Sequence, residues 1–140
     1  MKNAILAGAI AGAVMDIPLV AFAYVSTNMG VSFIIPPGGS AEIWTPSMLM
    51  LLGLAHLALD IFWGMIGGAA YSYLYNMLPG KGVVKGLYFG LSIWVIKDIA
   101  AGSYLALTMN EVNSAMLLIS GGFFMWIVYG PVLGYLYKKE

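Results

Sequence analysis

Four apolar runs, each at least the roughly 20 residues that a helix needs to cross a ~30 Å hydrocarbon core, take up most of this 140-residue chain. They lie at about residues 4–24, 48–77, 83–107 and 114–137. Runs of that length leave little choice of fold, because in lipid a backbone must satisfy its own hydrogen bonds and a helix does so within one segment. The sequence predicts an all-α, polytopic membrane protein: one bundle of four transmembrane helices over residues 1–140, with an outer loop at 26–46. Composition agrees, since 61% of the residues are hydrophobic and only 9% charged, against about 25% charged in soluble domains. No length is left for a soluble catalytic domain.

The breaks between runs carry their own signals. Pro36, Pro37, Gly38 and Gly39 forbid a helix through the first connection, and Thr45 followed by Pro46 reads as an N-cap with proline at the first helical position. Pro79, Gly80, Lys81 and Gly82 stop the second helix and let the third begin at once. The third connection, residues 108–113, is short and polar, with Asn113 or Ser114 available as a cap. Lys2, Lys81, Lys85, Lys138 and Lys139 flank the two termini and the second connection, whereas the first and third connections carry only Glu42 and Glu111. The positive-inside rule then places both termini in the cytoplasm and the chain in the cell membrane. A competing reading cleaves a signal peptide after Ala21, Phe22 and Ala23; Asp16 and Pro18, which interrupt its apolar region, oppose it.

Three aspartates, a lysine and the only histidine lie in the middle of the apolar runs: Asp16, His56, Asp60, Lys97 and Asp98. A charge at bilayer depth costs roughly 2.5 to 3.5 kcal/mol on insertion scales, so such groups face a partner, a cavity or a substrate path. Counting from the expected helix ends puts Asp16, Asp60, Lys97 and Asp98 within about two turns of the centre, and His56 a turn outward of Asp60. Three carboxylates against one lysine leave negative charge that a proton, a cation, a charged His56 or water must share.

Glycines recur every fourth residue: Gly8 and Gly12 in the first helix, Gly64 and Gly68 in the second, Gly86 and Gly90 in the third, Gly130 and Gly134 in the fourth. Small residues at that spacing let helix backbones approach closely. Tyrosines follow the even pairs, at Tyr71 and at Tyr137, so the chain reads as two repeated helical hairpins related by an axis along the membrane normal. The same stretches, from Ala7 to Met15, Leu78 to Gly80, Lys85 to Leu91 and Tyr129 to Tyr137, resemble the uncharacterised small four-helix membrane proteins of prokaryotes known as YagU-like and related families of unknown function. That resemblance implies architecture and no chemistry. The histidine found in those relatives four residues before the first glycine of the even helices is replaced here by Asp60 and Trp126, with His56 one turn earlier.

Helical geometry aims the polar groups. Asp16 continues the ladder of Gly8 and Gly12; His56 and Asp60 precede Gly64 and Gly68 on theirs; Asp98 continues Gly86, Gly90 and Trp94, with Gly102 a turn on. All of these share the glycine faces, and Lys97, about 100° round from Asp98, is expected to reach a neighbouring helix. The five residues are thus expected to form one cluster carried by the first three helices. Pro18 and Pro131 free the carbonyls of Val14 and Ile127, chiefly as kinks. Trp44, Tyr75, Tyr104 and Tyr137 fit an interfacial belt, while Trp63, Trp94 and Trp126 are placed deeper, lining the interior.

Other chemistries are excluded or unsupported. Zero net charge and scattered lysines offer nothing to nucleic acid. Without cysteine there is no disulfide, iron–sulfur cluster or thiolate zinc site. A lone His56 is too little for haem or zinc, so no cofactor and no metal is expected. Met48, Met50, Met65, Met77, Met109, Met116 and Met125 are dispersed as packing residues rather than clustered for copper. The pattern of an intramembrane aspartyl protease is missing. Besides the lipid bilayer, the expected partners are further copies of the chain or other membrane subunits, and the apolar outer loop from Val31 to Trp44 is expected to fold over the bundle, lie on the membrane or meet a partner. Three functions fit: a cluster that binds or conducts a proton, cation or small polar solute; a non-catalytic accessory subunit of a membrane enzyme complex; and an embedded enzyme acting on a lipid-like substrate.

Overall fold

In the computed structural model of the chain, residues 2–28 and 46–137 are described, and among them there are four helices and no strand. α1 is Lys2–Asn28 and α2 is Pro46–Leu74. The third helix is continuous but changes pitch, running as α3 (Val83–Ile93), a π-helical turn (Trp94–Ile99) and α4 (Ala100–Thr108). The fourth, α5, is Val112–Leu136. Two helical stretches, Gly53–Leu74 within α2 and Val112–Leu136, are long and apolar enough to cross a membrane. The expected loop residues Val31 to Trp44 and Thr45, with Lys138 and Lys139, lie outside the described residues, as do the side chains of Met48 and Met50.

Pro46 begins α2, where the amide hydrogen it lacks would have no partner within the helix. The helix ends at Leu74, three residues short of the expected Met77. The Met77 amide folds back to the Leu74 carbonyl at 2.8 Å, and Gly80 and Gly82 then take φ values of +83° and +48°, a region costly for residues with a Cβ. The Lys85 ammonium donates to the Tyr75 carbonyl and stands 4.2 Å from the centroid of the Tyr75 ring. At the last connection neither Asn113 nor Ser114 acts as the cap. Asn110 makes the reversal with φ +56°, α5 has already begun at Val112, and the Ser114 hydroxyl donates to Glu111 Oε2 at 3.1 Å.

α1 and α2 run antiparallel in glycine contact. Gly68 faces the carbonyl of Ala4, Gly8 the carbonyl of Gly64, and Gly12 the carbonyl of Asp60; a Cβ built on Gly12 would stand 3.0 Å from that carbonyl carbon. The register therefore pairs 4 with 68, 8 with 64 and 12 with 60. α3 and α5 pair similarly, Gly134 against Gly82, Gly86 against Gly130, and Gly90 against Trp126. With no side chain between them, the backbones gain dispersion contacts that larger residues would prevent.

α1 also packs on α5, joining the two pairs. Across that junction the buried Tyr129 hydroxyl of α5 donates to the Gly64 carbonyl of α2 at 3.0 Å. Near the 75–82 turn, buried Tyr71 meets Phe89, Tyr75 and Tyr137 edge-on, with ring centroids 5.2, 5.6 and 5.5 Å away. That aromatic group closes one end of the bundle. Toward the other end of α2, a Cβ on Gly53 would meet no atom of the described residues within 4 Å.

The π-helical turn solves a register problem. A four-residue step overshoots an α-helical turn by about 40°, so a ladder from Gly86 to Gly102 would wind off the face of α5. In the wider π turn the same step falls short of a full turn, and the drift is partly undone. Asp98 and Gly102 consequently remain buried beneath α5.

Candidate functional site

The glycine register of α1 and α2 builds the first polar group. Because Gly12 lies over Asp60, one further turn brings Asp16 opposite His56. His56 Nδ1 is 3.0 Å from Asp16 Oδ1 and 3.4 Å from Asp60 Oδ2. One potential ligand atom from each of the three residues lies within 4.8 Å of the others. Asp60 is only 8% exposed, and its Oδ2 is buried and accepts no hydrogen bond. The His56 side chain, by contrast, is 49% exposed. The group thus has a buried carboxylate floor and an open imidazole edge.

The second polar group sits in the other helix pair. Asp98, 1% exposed, accepts from Trp126 Nε1 through Oδ2 at 2.6 Å and from Lys97 Nζ through Oδ1 at 3.1 Å. Both carboxylate oxygens are therefore engaged. The Lys97 ammonium also stands 5.6 Å from the centroid of the Trp126 ring, and its side chain remains 64% exposed. At the start of the π turn, Trp94 Nε1 donates to the Ile119 carbonyl at 2.8 Å. Two indole hydrogen bonds thus hold the turn against α5.

The expected single cluster of five is corrected to two adjoining groups, Asp16–His56–Asp60 and Lys97–Asp98–Trp126. Lys97 does reach a neighbouring helix, its ammonium standing over the Trp126 ring of α5, while its ion pair is with the adjacent Asp98. The first three helices do not carry all the polar partners, because Trp126 of α5 supplies the donor that Asp98 needs. Trp63, expected inside, is exposed, lying about 100° round α2 from the glycine face.

The two helix crossings show why the groups differ. Continuing the α1–α2 register gives Asp16 opposite His56, and the same step on α3–α5 gives Trp94 opposite Gly122. Trp94, Gly122 and Trp126 therefore stand where the first crossing has Asp16, His56 and Asp60. The missing side chain at Gly122 is the space that Asp98 fills: a Cβ there would lie 3.0 Å from the Asp98 Cβ and against its carboxylate. Gly122 and Trp126 are site residues the sequence reading did not assign. A glycine opposite a buried carboxylate becomes a signal only when helix register is known.

No protein-family model, curated protein or solved structure matches the chain.

Proposed function

We propose that the chain is a small multi-pass protein of the cell membrane that binds or conducts a proton, cation or small polar solute through Asp16, His56 and Asp60. Its four helices would all span, with both termini cytoplasmic by the lysine bias and the two glycine-paired hairpins as an internal repeat on a YagU-like scaffold. One observation carries the functional reading: three ionisable side chains from two helices converge to within 4.8 Å, with a buried carboxylate oxygen left without a hydrogen bond. A purely structural network would be expected to satisfy every buried acceptor, as Asp98 is satisfied.

The test is flux across reconstituted proteoliposomes under imposed proton or cation gradients. Asp60→Asn is expected to lower the flux by about tenfold or more, since a hydrogen bond or ion contact to a charged group is worth about 1.5 to 3 kcal/mol. Flux that is absent, or unchanged in that variant, defeats the conduction reading.

A second reading, an accessory subunit of a larger membrane complex, is favoured by one observation. The Lys97 side chain is 64% exposed on the isolated chain, and a lysine facing lipid near mid-membrane is costly unless a neighbour covers it. Purification in mild detergent distinguishes the two: stoichiometric unrelated subunits are expected for an accessory protein, a lone chain or homo-oligomer for a conductor.

A further inference from the structure

We propose that Asp16, His56 and Asp60 form a site for a divalent first-row transition-metal ion bridging α1 and α2. This names the ligand class of the cation site described above and rests on that reading.

Geometry is the first argument. Two ligand atoms bonded to a metal at about 2.0 to 2.2 Å stand about 3.0 Å apart when they subtend a right angle and about 3.4 Å apart at the tetrahedral angle. The separations from His56 Nδ1 are 3.0 Å to Asp16 Oδ1 and 3.4 Å to Asp60 Oδ2. The remaining edge, at no more than 4.8 Å, needs at most a small side-chain movement. All three atoms can then touch one ion. The 3.0 Å contact is a hydrogen bond when Nδ1 carries the ring proton; ligation uses the tautomer protonated on Nε2.

Burial of the same Asp60 oxygen supplies the second argument. Asp60 Oδ2 is buried and accepts no hydrogen bond, although the residue is only 8% exposed. Burying an acceptor without a hydrogen bond is costly, and this one lies 3.4 Å from His56 Nδ1 and within 4.8 Å of the Asp16 ligand atom. A cation held between them satisfies it.

Charge sets the valence. Lys97 and Asp98 already pair at 3.1 Å, so the lysine is committed. Two carboxylates with a neutral imidazole carry two negative charges, which a divalent ion cancels and a monovalent ion leaves half uncompensated. Ligand type sets the kind of metal: one nitrogen with two carboxylate oxygens suits Mn²⁺, Fe²⁺ or Zn²⁺, whereas Mg²⁺ and Ca²⁺ prefer all-oxygen shells. Three protein ligands leave coordination positions open, and the half-exposed His56 gives the ion a way in and out. That is the arrangement of an exchangeable ion rather than a sealed structural one.

The experiment is titration of the full-length protein in detergent with Co²⁺, whose visible d–d absorption reports bound nitrogen and oxygen ligands. The expected result is saturation at one Co²⁺ per chain, displacement by Zn²⁺ and persistence in a large excess of Mg²⁺. His56→Ala and Asp60→Asn are each expected to weaken binding about 100-fold or more, since even an outer partner of a metal ligand is worth 10- to 100-fold. Ser92→Ala, whose hydroxyl bonds only within its own helix, should bind normally. Because a variant could bind poorly by misfolding, thermal melting is followed too: Zn²⁺ should raise the melting temperature of the wild type and leave that of His56→Ala unchanged. Absence of a saturable Co²⁺ spectrum in folded wild-type protein overturns the proposal, as does binding retained in both ligand variants or displacement by Mg²⁺. Asp60-dependent flux without Co²⁺ binding sinks the metal site and leaves conduction standing; Co²⁺ binding without flux supports the metal site and removes conduction.

Discussion

Gly64→Leu is expected to destabilise the folded protein by about 3 kcal/mol or more, at or beyond the upper end of what overpacking usually costs. The reason is that the new side chain would meet backbone. A Cβ on Gly64 already falls 2.9 Å from the Cα of Gly12 and against the carbonyl of Gly8, and a helix backbone cannot rotate away as a side chain can. To admit leucine, α1 and α2 must separate, which dissolves the register that brings Asp16 to His56 and strains the Tyr129 bond to the Gly64 carbonyl. Gly53→Leu is the control, because no described residue stands within 4 Å of a Cβ there and the change removes the helical penalty of glycine, about 1 kcal/mol. Denaturation in detergent should show a large loss for Gly64→Leu and none for Gly53→Leu. Equal midpoints for the two variants would mean that α1 and α2 do not cross where described.

Asp98→Ala is expected to cost about 3 kcal/mol, from the loss of a charged acceptor and the stranding of a buried donor. Trp126 Nε1–H, now 2.6 Å from Asp98 Oδ2, would have no acceptor in a closed site, and Lys97 would lose its only ion pair among the described residues. Asp98→Asn keeps an oxygen for the indole and should cost less. Pairing Asp98→Ala with Trp126→Phe removes donor and acceptor together, so the double variant should be more stable than the sum of the single losses predicts, by about 0.5 to 3 kcal/mol. Strict additivity in thermal melts would show that the indole and carboxylate are not bonded. This group lies in the other helix pair from Asp16, His56 and Asp60, so metal binding should survive Asp98→Asn even where stability drops. The two polar groups would then be separable, one holding the fold and one holding a ligand.

Much of the scaffold was legible because it depends on short-range rules. Apolar length marks helices, Pro46 marks the start of one, and the run Pro79 to Gly82 marks a reversal that only glycine accommodates well at φ +83° and +48°. Glycines four apart fall on one face, and all eight singled out on that ground are at helix crossings. Local rules misplaced helix ends by a few residues, α2 stopping at Leu74 and α5 starting at Val112, and larger departures came where two helices are set against each other. Asp16 and His56 are 40 positions apart, and nothing local says that one turn beyond the Gly12–Asp60 contact they will meet. The π turn leaves no trace in an apolar pattern, yet it keeps Asp98 under α5 after the four-residue ladder should have drifted away. Gly122 looked like any other glycine until a carboxylate lay against it.

Legible from residue order alone are the helical character of the chain, the approximate places of its breaks, the faces that pack closely, and the five titratable residues that need an explanation. Those properties follow from backbone hydrogen bonding, side-chain size and helical period, each acting over a few residues. How the five are divided emerges from helix packing: Asp16, His56 and Asp60 across one glycine crossing with a buried oxygen lacking a hydrogen bond, Lys97 and Asp98 with Trp126 across the other. The physical reason is that a side chain's partner depends on the antiparallel register and pitch of two packed helices. A shift of one residue in either turns a side chain by about 100°, enough to exchange one partner for another.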